Sequence, residues 1–179
     1  MASFFLAMLA VLIAGLGARD QVLVADLAER QGPRPAILLV ALVAAGASAA
    51  AAGWLGALTA PLLIPRARTI LVAMVLGLAS LELLFVRPRR RADEPTNSLG
   101  AFAAVLLAQQ LTDAARLLVF ALAAASGSPQ LSALGGAVGG GLSLLGGWLA
   151  AEHLRGLPLE AVRRALGLML AGLALWLVV

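Results

Sequence analysis

The sequence predicts an all-α polytopic membrane protein, with six transmembrane helices arranged as two inverted three-helix repeats. Three observations carry this expectation. Of 179 residues, 62% are apolar and only 12% charged, about half the charge of an ordinary soluble domain. Apolar runs of membrane-spanning length recur between short polar breaks, and a span needs about 20 such residues. The polar residues that interrupt these runs fall at matching places in the two halves. Such a composition excludes a soluble enzyme and leaves no room for a water-exposed domain.

The runs cover about Ala2 to Ala28, Pro35 to Ile64, Thr69 to Val86, Leu99 to Ala125, Leu131 to Ala151 and Leu159 to Val179. Glu29, Arg30, Gly32, Pro33, Arg34 and Pro35 punctuate after the first, and Pro65, Arg66 and Arg68 after the second. Arg87 to Ser98 is too polar for lipid and too short to fold. It divides the chain into a first repeat over 1–86, a charged linker over 87–98 and a second repeat over 99–179. Phe4 to Leu16 also resembles the apolar core of a secretory signal. It lacks a basic leader, however, and apolar character resumes after Asp20, so a retained first helix with a polar interruption is expected.

All 13 basic residues are Arg. Nine fall in alternate loops (Arg30, Arg34, Arg87, Arg89, Arg90, Arg91, Arg155, Arg163 and Arg164) against two, Arg66 and Arg68, in the others. Because cytoplasmic loops retain positive charge, both termini are expected outside the cytoplasm, with the bacterial inner membrane the expected location. The bilayer is the expected partner, nucleic acid is not, and a homo-oligomer stays open. There is no Cys and one His, His153, so thiolate and His-cluster metal sites are excluded. Any metal would need oxygen ligands. No catalytic residue set is present and no resident cofactor is expected.

Placing residue n on n + 95 superposes Arg68 on Arg163 and Gly77-Leu78-Ala79 on Gly172-Leu173-Ala174. A shift of one residue matches Gly53-Trp54-Leu55 to Gly147-Trp148-Leu149. An odd number of spans per unit would turn the second copy upside down, an arrangement that places a substrate site where the repeats meet. Gly135, Gly136, Gly139, Gly140 and Gly141 in the fifth span, and Ala44 to Ala52 in the second, offer small-residue faces for close helix packing. Trp54, Trp148 and Trp176 read as packing or interface anchors.

Two polar clusters interrupt the spans: Arg19, Asp20, Gln21 and Asp26 in the first, and Gln109, Gln110, Thr112, Asp113 and Arg116 in the fourth. Under the offset, Gly15 to Gln21 overlies Gln110 to Arg116. A charge inside a span costs at least about 2.5 to 3.5 kcal/mol on insertion scales, so it persists there when paired or functional. Arg19 and Arg116 balance Asp20 and Asp113. Pairing of Arg19 with Asp113 and of Asp20 with Arg116 is one expectation, and an Asp113–Arg116 pair within one helix is another. Glu82 has no basic neighbour at helical spacing and is expected as a neutral carboxylic acid. Asp26 and Arg30 form a helix-end pair, and His153, near Glu152 and Arg155, is expected in solvent.

The segment Gly15-Leu16-Gly17-Ala18-Arg19-Asp20-Gln21, with its counterpart Gln110-Leu111-Thr112-Asp113-Ala114-Ala115-Arg116, resembles the repeated Glu-x-Gly-Asp-Lys/Arg-Thr/Ser motif of the GDT-type exchangers. The layout of two three-helix units and a charged linker is also similar. The resemblance implies a secondary transporter that exchanges manganese or calcium for protons. The motif's glutamates stand at Gly15 and Gln110 here, its aspartates at Ala18 and Asp113, and its basic residues at Arg19 and Ala114. One of four expected carboxylates is therefore kept. Asp20 stands where the motif has its hydroxyl residue, and Asp113, Asp20 and Gln110 are the candidate metal ligands the resemblance leaves. Thr112, Gln21 and Gln109 complete the ion or substrate candidates, and Arg19 and Arg116 act as charge partners. The alternatives are a non-transporting scaffold with an ion-paired core, and a LysE-type exporter of another small solute.

Overall fold

The computed structural model describes residues 1–32, 34–87, 98–150 and 158–179. Every regular element among them is helical. In chain order they are α1 (Ala2–Ala14), α2 (Arg19–Gln31), α3 (Pro35–Thr59), α4 (Pro65–Phe85), α5 (Leu99–Leu111), α6 (Ala114–Ser126), α7 (Pro129–Leu149) and α8 (Leu159–Val178). A single 3-10 turn, Ala60–Leu62, joins α3 to α4. Proline opens α3, α4 and α7, where its missing N–H would have no helical partner anyway.

The order is a bent helix pair and two long helices, then the same again. α1 and α2 meet at 60°, and α5 and α6 at 54°. The fourth run, expected as one continuous span, is thus broken like the first. At the first break Gly17 takes a left-handed φ of +68°, which L residues with side chains adopt at a cost. The second break has no glycine. There Thr112 Oγ1 turns back to the carbonyls of Ala108 and Gln109, both at 3.3 Å, and Asp113 is extended at the start of α6. Side-chain bonds of this kind compete with the helical ladder.

α3, α4 and α8 are each long and apolar enough to cross a bilayer, and taking each bent pair as one broken span raises the number to five. α7, the remaining long helix, is 21 residues long but falls short in hydropathy, because glycine contributes little apolar character. Its glycines serve packing instead. A Cβ at Gly135 or Gly139 would collide with the carbonyl oxygens of Phe4 and Met8, so the α1 backbone lies directly on α7. α7 also packs along α3, α4 packs along α8, and α6 lies between α3 and α4.

The distribution of polarity is the reverse of a soluble protein's. Phe5, Leu39, Trp54, Met74, Leu134, Leu168 and Trp176 are exposed, whereas Asp20, Gln21, Ser48, Glu82, Gln110, Asp113, Arg116 and Arg163 are buried. Lipid is the solvent that rewards this arrangement, and the chain has the character of an integral membrane protein.

Two sequence expectations are corrected by this packing. Arg163, assigned above to a loop, lies inside α8 and is 2% exposed. Its removal from the loop tally leaves eight Arg against two. Glu82 is not a lone neutral acid: Arg163 Nη2 donates to both of its carboxylate oxygens at 2.9 and 3.0 Å. The expected helix-end pair does form, with Arg30 Nη2 2.8 Å from Asp26 Oδ2. The linker, apart from Arg87 and Ser98, lies outside the described residues, as do Glu152, His153 and Arg155.

Candidate functional site

Breaking the first and fourth apolar runs leaves backbone groups without helical partners, and the polar clusters lie at these breaks. At the first break Gln21 Oε1 accepts the Gly17 N–H at 2.7 Å, and Asp20 Oδ1 accepts the Gln21 N–H at 2.8 Å. Gln21 Nε2 then donates to the Ser143 carbonyl of α7 at 2.8 Å. A single glutamine thereby ties the break to the opposite half of the chain.

The two breaks also hold each other. Arg19 Nη2 reaches across to Thr112 Oγ1 at 3.0 Å and toward the Gln109 carbonyl at 3.4 Å, placing a cation at the negative end of α5. In return Gln110 Nε2 donates to Asp20 Oδ2 at 3.1 Å. The first and fourth runs therefore meet through their polar clusters.

A four-residue chain of hydrogen bonds continues from there. Ser48 Oγ donates to Gln110 Oε1 at 3.0 Å, with the Ala45 carbonyl at 3.2 Å as its other acceptor within reach. Arg116 Nε donates to Ser48 Oγ at 2.6 Å, and Arg116 Nη2 points at the Ala45 carbonyl at 3.5 Å. Asp20, Gln110, Ser48 and Arg116 thus run as a relay through α2, α5, α3 and α6. Among the described residues no ion pair joins Asp20 to Arg116, Arg19 to Asp113 or Asp113 to Arg116. The expected direct pairs are replaced by this bridged one, because Gln110 and Ser48 fill the space between the charges.

Asp113 stands apart from the relay. It is 3% exposed, its Oδ1 has no hydrogen-bond partner, and Asp20, Glu82, Arg116 and Arg163 all act on it electrostatically. Glu82, held by Arg163, is close enough to Asp113 to act on its charge. Glu82 and Arg163 are therefore electrostatic neighbours of Asp113, outside the candidate ligand set. They are 81 residues apart, so no local spacing pairs them. The available signal is the charge itself, since Glu82 stands inside an apolar run.

The remaining candidates are peripheral. Gln109 contributes its carbonyl to Arg19, while its Oε1 is buried without a partner. Thr112 serves the break and Arg19. As a metal site the cluster is sparse. Both oxygens of Asp20 are engaged, and among the described residues no group of three or more His, Asp or Glu could hold a metal ion. A hard divalent cation takes six or more oxygens, with carboxylates among them.

Comparisons with protein-family models, with curated proteins and with solved structures find no match to this chain.

Proposed function

We propose that the chain is a proton-coupled secondary transporter, built as six spans in two inverted repeats and diverged from the GDT-type exchangers it resembles. Its cargo site is the meeting of the two helix breaks, and alternating access moves one repeat against the other. The observation that carries this reading is Asp113: a buried carboxylate with an unpartnered oxygen, held where two broken helices cross. A carboxylate so placed is the kind of group that takes up and releases a proton during a transport cycle. The resemblance offers manganese or calcium as the exchanged cation, with Asp113, Asp20 and Gln110 as ligands. Of these only Asp113 has an oxygen left open.

The proposed location is the bacterial inner membrane, with both termini outside the cytoplasm and the charged linker within it. This orientation rests on the eight-to-two Arg asymmetry. Labelling of an Asn97→Cys variant from outside intact cells should fail, and efficient labelling would reverse the orientation.

Flux in proteoliposomes tests the transport reading. Gradients of manganese, calcium, sodium or potassium are imposed in turn, and internal pH is followed with a trapped dye. Proton movement driven by one of these gradients, and lost in Asp113→Asn, is the expected result. A folded protein that moves no protons under any of them would leave the second reading, a non-transporting scaffold. That reading is favoured by the Glu82–Arg163 pair and by the Asp20-to-Arg116 relay, both of which tie separate helices together.

A further inference from the structure

The guanidinium of Arg116 has the surroundings of a bound cation. Its Nε takes the Ser48 hydroxyl oxygen, its Nη2 faces the Ala45 carbonyl, and the charges of Asp20 and Asp113 both act on it. A Cβ at Gly140 would stand only 3.2 Å from its Nη1, so the backbone of α7 closes the remaining side. Hydroxyl, carbonyl and carboxylate oxygens are the donors a hard cation collects.

The repeat gives this position a neutral counterpart. Under the offset of 95, Arg116 overlies Gln21, Ala45 overlies Gly140 and Ser48 overlies Ser143. Gln21 makes the equivalent reach to α7, donating to the Ser143 carbonyl. One half of the site thus holds an amide where the other holds a permanent positive charge.

We propose that Arg116 is a built-in cation, filling a position in the crossing that an inorganic ion would otherwise take. This rests on the crossing being the cargo site. Charge accounting then defines the cargo. Asp20, Glu82 and Asp113 are buried against Arg116 and Arg163, with Arg19 half-buried at the edge, so the fully buried set carries one negative charge before anything binds. A cation of single charge neutralises that set, whereas a divalent ion would leave one uncompensated charge in a medium of low dielectric, where such charges cost most. The cargo is accordingly a cation of single charge, the proton or an alkali ion, and neither manganese nor calcium.

A position built for a cation should accept a metal ion once the arginine is neutralised, a response that an arginine serving packing alone would not leave behind. The test is thermal unfolding in detergent of the parent chain, Arg116→Gln and Arg116→Ala, each with and without calcium, manganese or millimolar guanidinium. The parent should be insensitive to all three. Arg116→Gln should gain calcium or manganese binding, raising Tm by about 5 to 10 °C at a hundred times Kd. Arg116→Ala should be stabilised by free guanidinium, and adding Asp20→Asn should remove that rescue. If either single variant is too unstable to isolate, it is purified with the cation present throughout; failure to fold under that condition also counts against the proposal.

Metal-dependent stabilisation of the parent would overturn the built-in cation while leaving the transport reading in place. Folded variants that respond to no cation would overturn it as well. Cation rescue without flux in any variant would instead support the tether and refute transport.

Discussion

Ser48 and Arg116, 68 residues apart in sequence, share the shortest side-chain hydrogen bond in the crossing, with Arg116 Nε 2.6 Å from Ser48 Oγ. The same hydroxyl reaches Gln110 Oε1. Ser143, on which Ser48 falls under the 95-residue offset, has a buried Oγ with no partner. The reason is local: the position equivalent to Gln110 is Gly15, and a Cβ there would stand 2.6 Å from Ser143 Oγ. One serine supports two polar partners, while the other packs against bare backbone.

That asymmetry predicts unequal effects of the same substitution. Ser48→Ala removes a hydrogen bond to a charged group and leaves a buried guanidinium nitrogen unsatisfied, at a cost of about 1.5 to 3 kcal/mol. Ser143→Ala removes no side-chain hydrogen bond and should change stability by about 0.5 kcal/mol or less. Parallel thermal unfolding of the two variants in detergent measures the difference, and equal losses would contradict it.

The glycines of α7 should be intolerant where α1 lies on them. Gly139→Ala places a methyl against the Met8 carbonyl, and overpacking of this kind costs about 1 to 3 kcal/mol. Gly77→Ala in α4 meets nothing within 4 Å and should be neutral or stabilise by up to about 1 kcal/mol through helix propensity. A single melting series containing both variants checks the contrast.

Glu82 and Arg163 form the one directly paired buried charge set among the described residues. Glu82→Gln or Arg163→Gln alone strands the other charge and should cost about 3 to 5 kcal/mol, whereas the double substitution removes both charges and should recover much of the loss. A double-mutant cycle by thermal unfolding reads the coupling. Losses that simply add would show that the two groups act independently.

What the sequence made legible follows from what local patterns encode. The clusters at Arg19 to Gln21 and Gln109 to Arg116 stood out because charge is rare in apolar runs, and they do meet. The glycine stripe from Gly135 to Gly141 announced a close helix contact, although not that α1 would fill it. Spacing on one helix says nothing about partners on another, so the sequence shows Glu82 without a partner and does not place Arg163 inside a helix. Charge balance pointed to a direct Asp20–Arg116 pair, but it carries no geometry, and Gln110 and Ser48 stand between the two groups instead. The Thr112 hydroxyl helps to end α5, a role that its place in a polar cluster does not announce.

Asp113 separates a transport carboxylate from a structural lock. If it neutralised a guanidinium directly, Asp113→Asn would strand that charge and cost about 3 to 5 kcal/mol. Among the described residues Asp113 forms no ion pair, and its Oδ1 lacks any hydrogen bond. Asn keeps the shape and removes only the charge. Asp113→Asn should therefore unfold within about 1 kcal/mol of the parent, a difference of roughly 2 to 4 °C in Tm, while abolishing proton movement in proteoliposomes. Asp113→Glu, which keeps the carboxyl but lengthens it in a closed site, should retain measurable flux at lower stability. A large fall in Tm for Asp113→Asn, recovered by replacing Arg19 or Arg116 with Gln, would assign the lock instead. Unchanged flux in the well-folded Asp113→Asn variant would remove Asp113 from the transport cycle and with it the observation on which proton coupling rests.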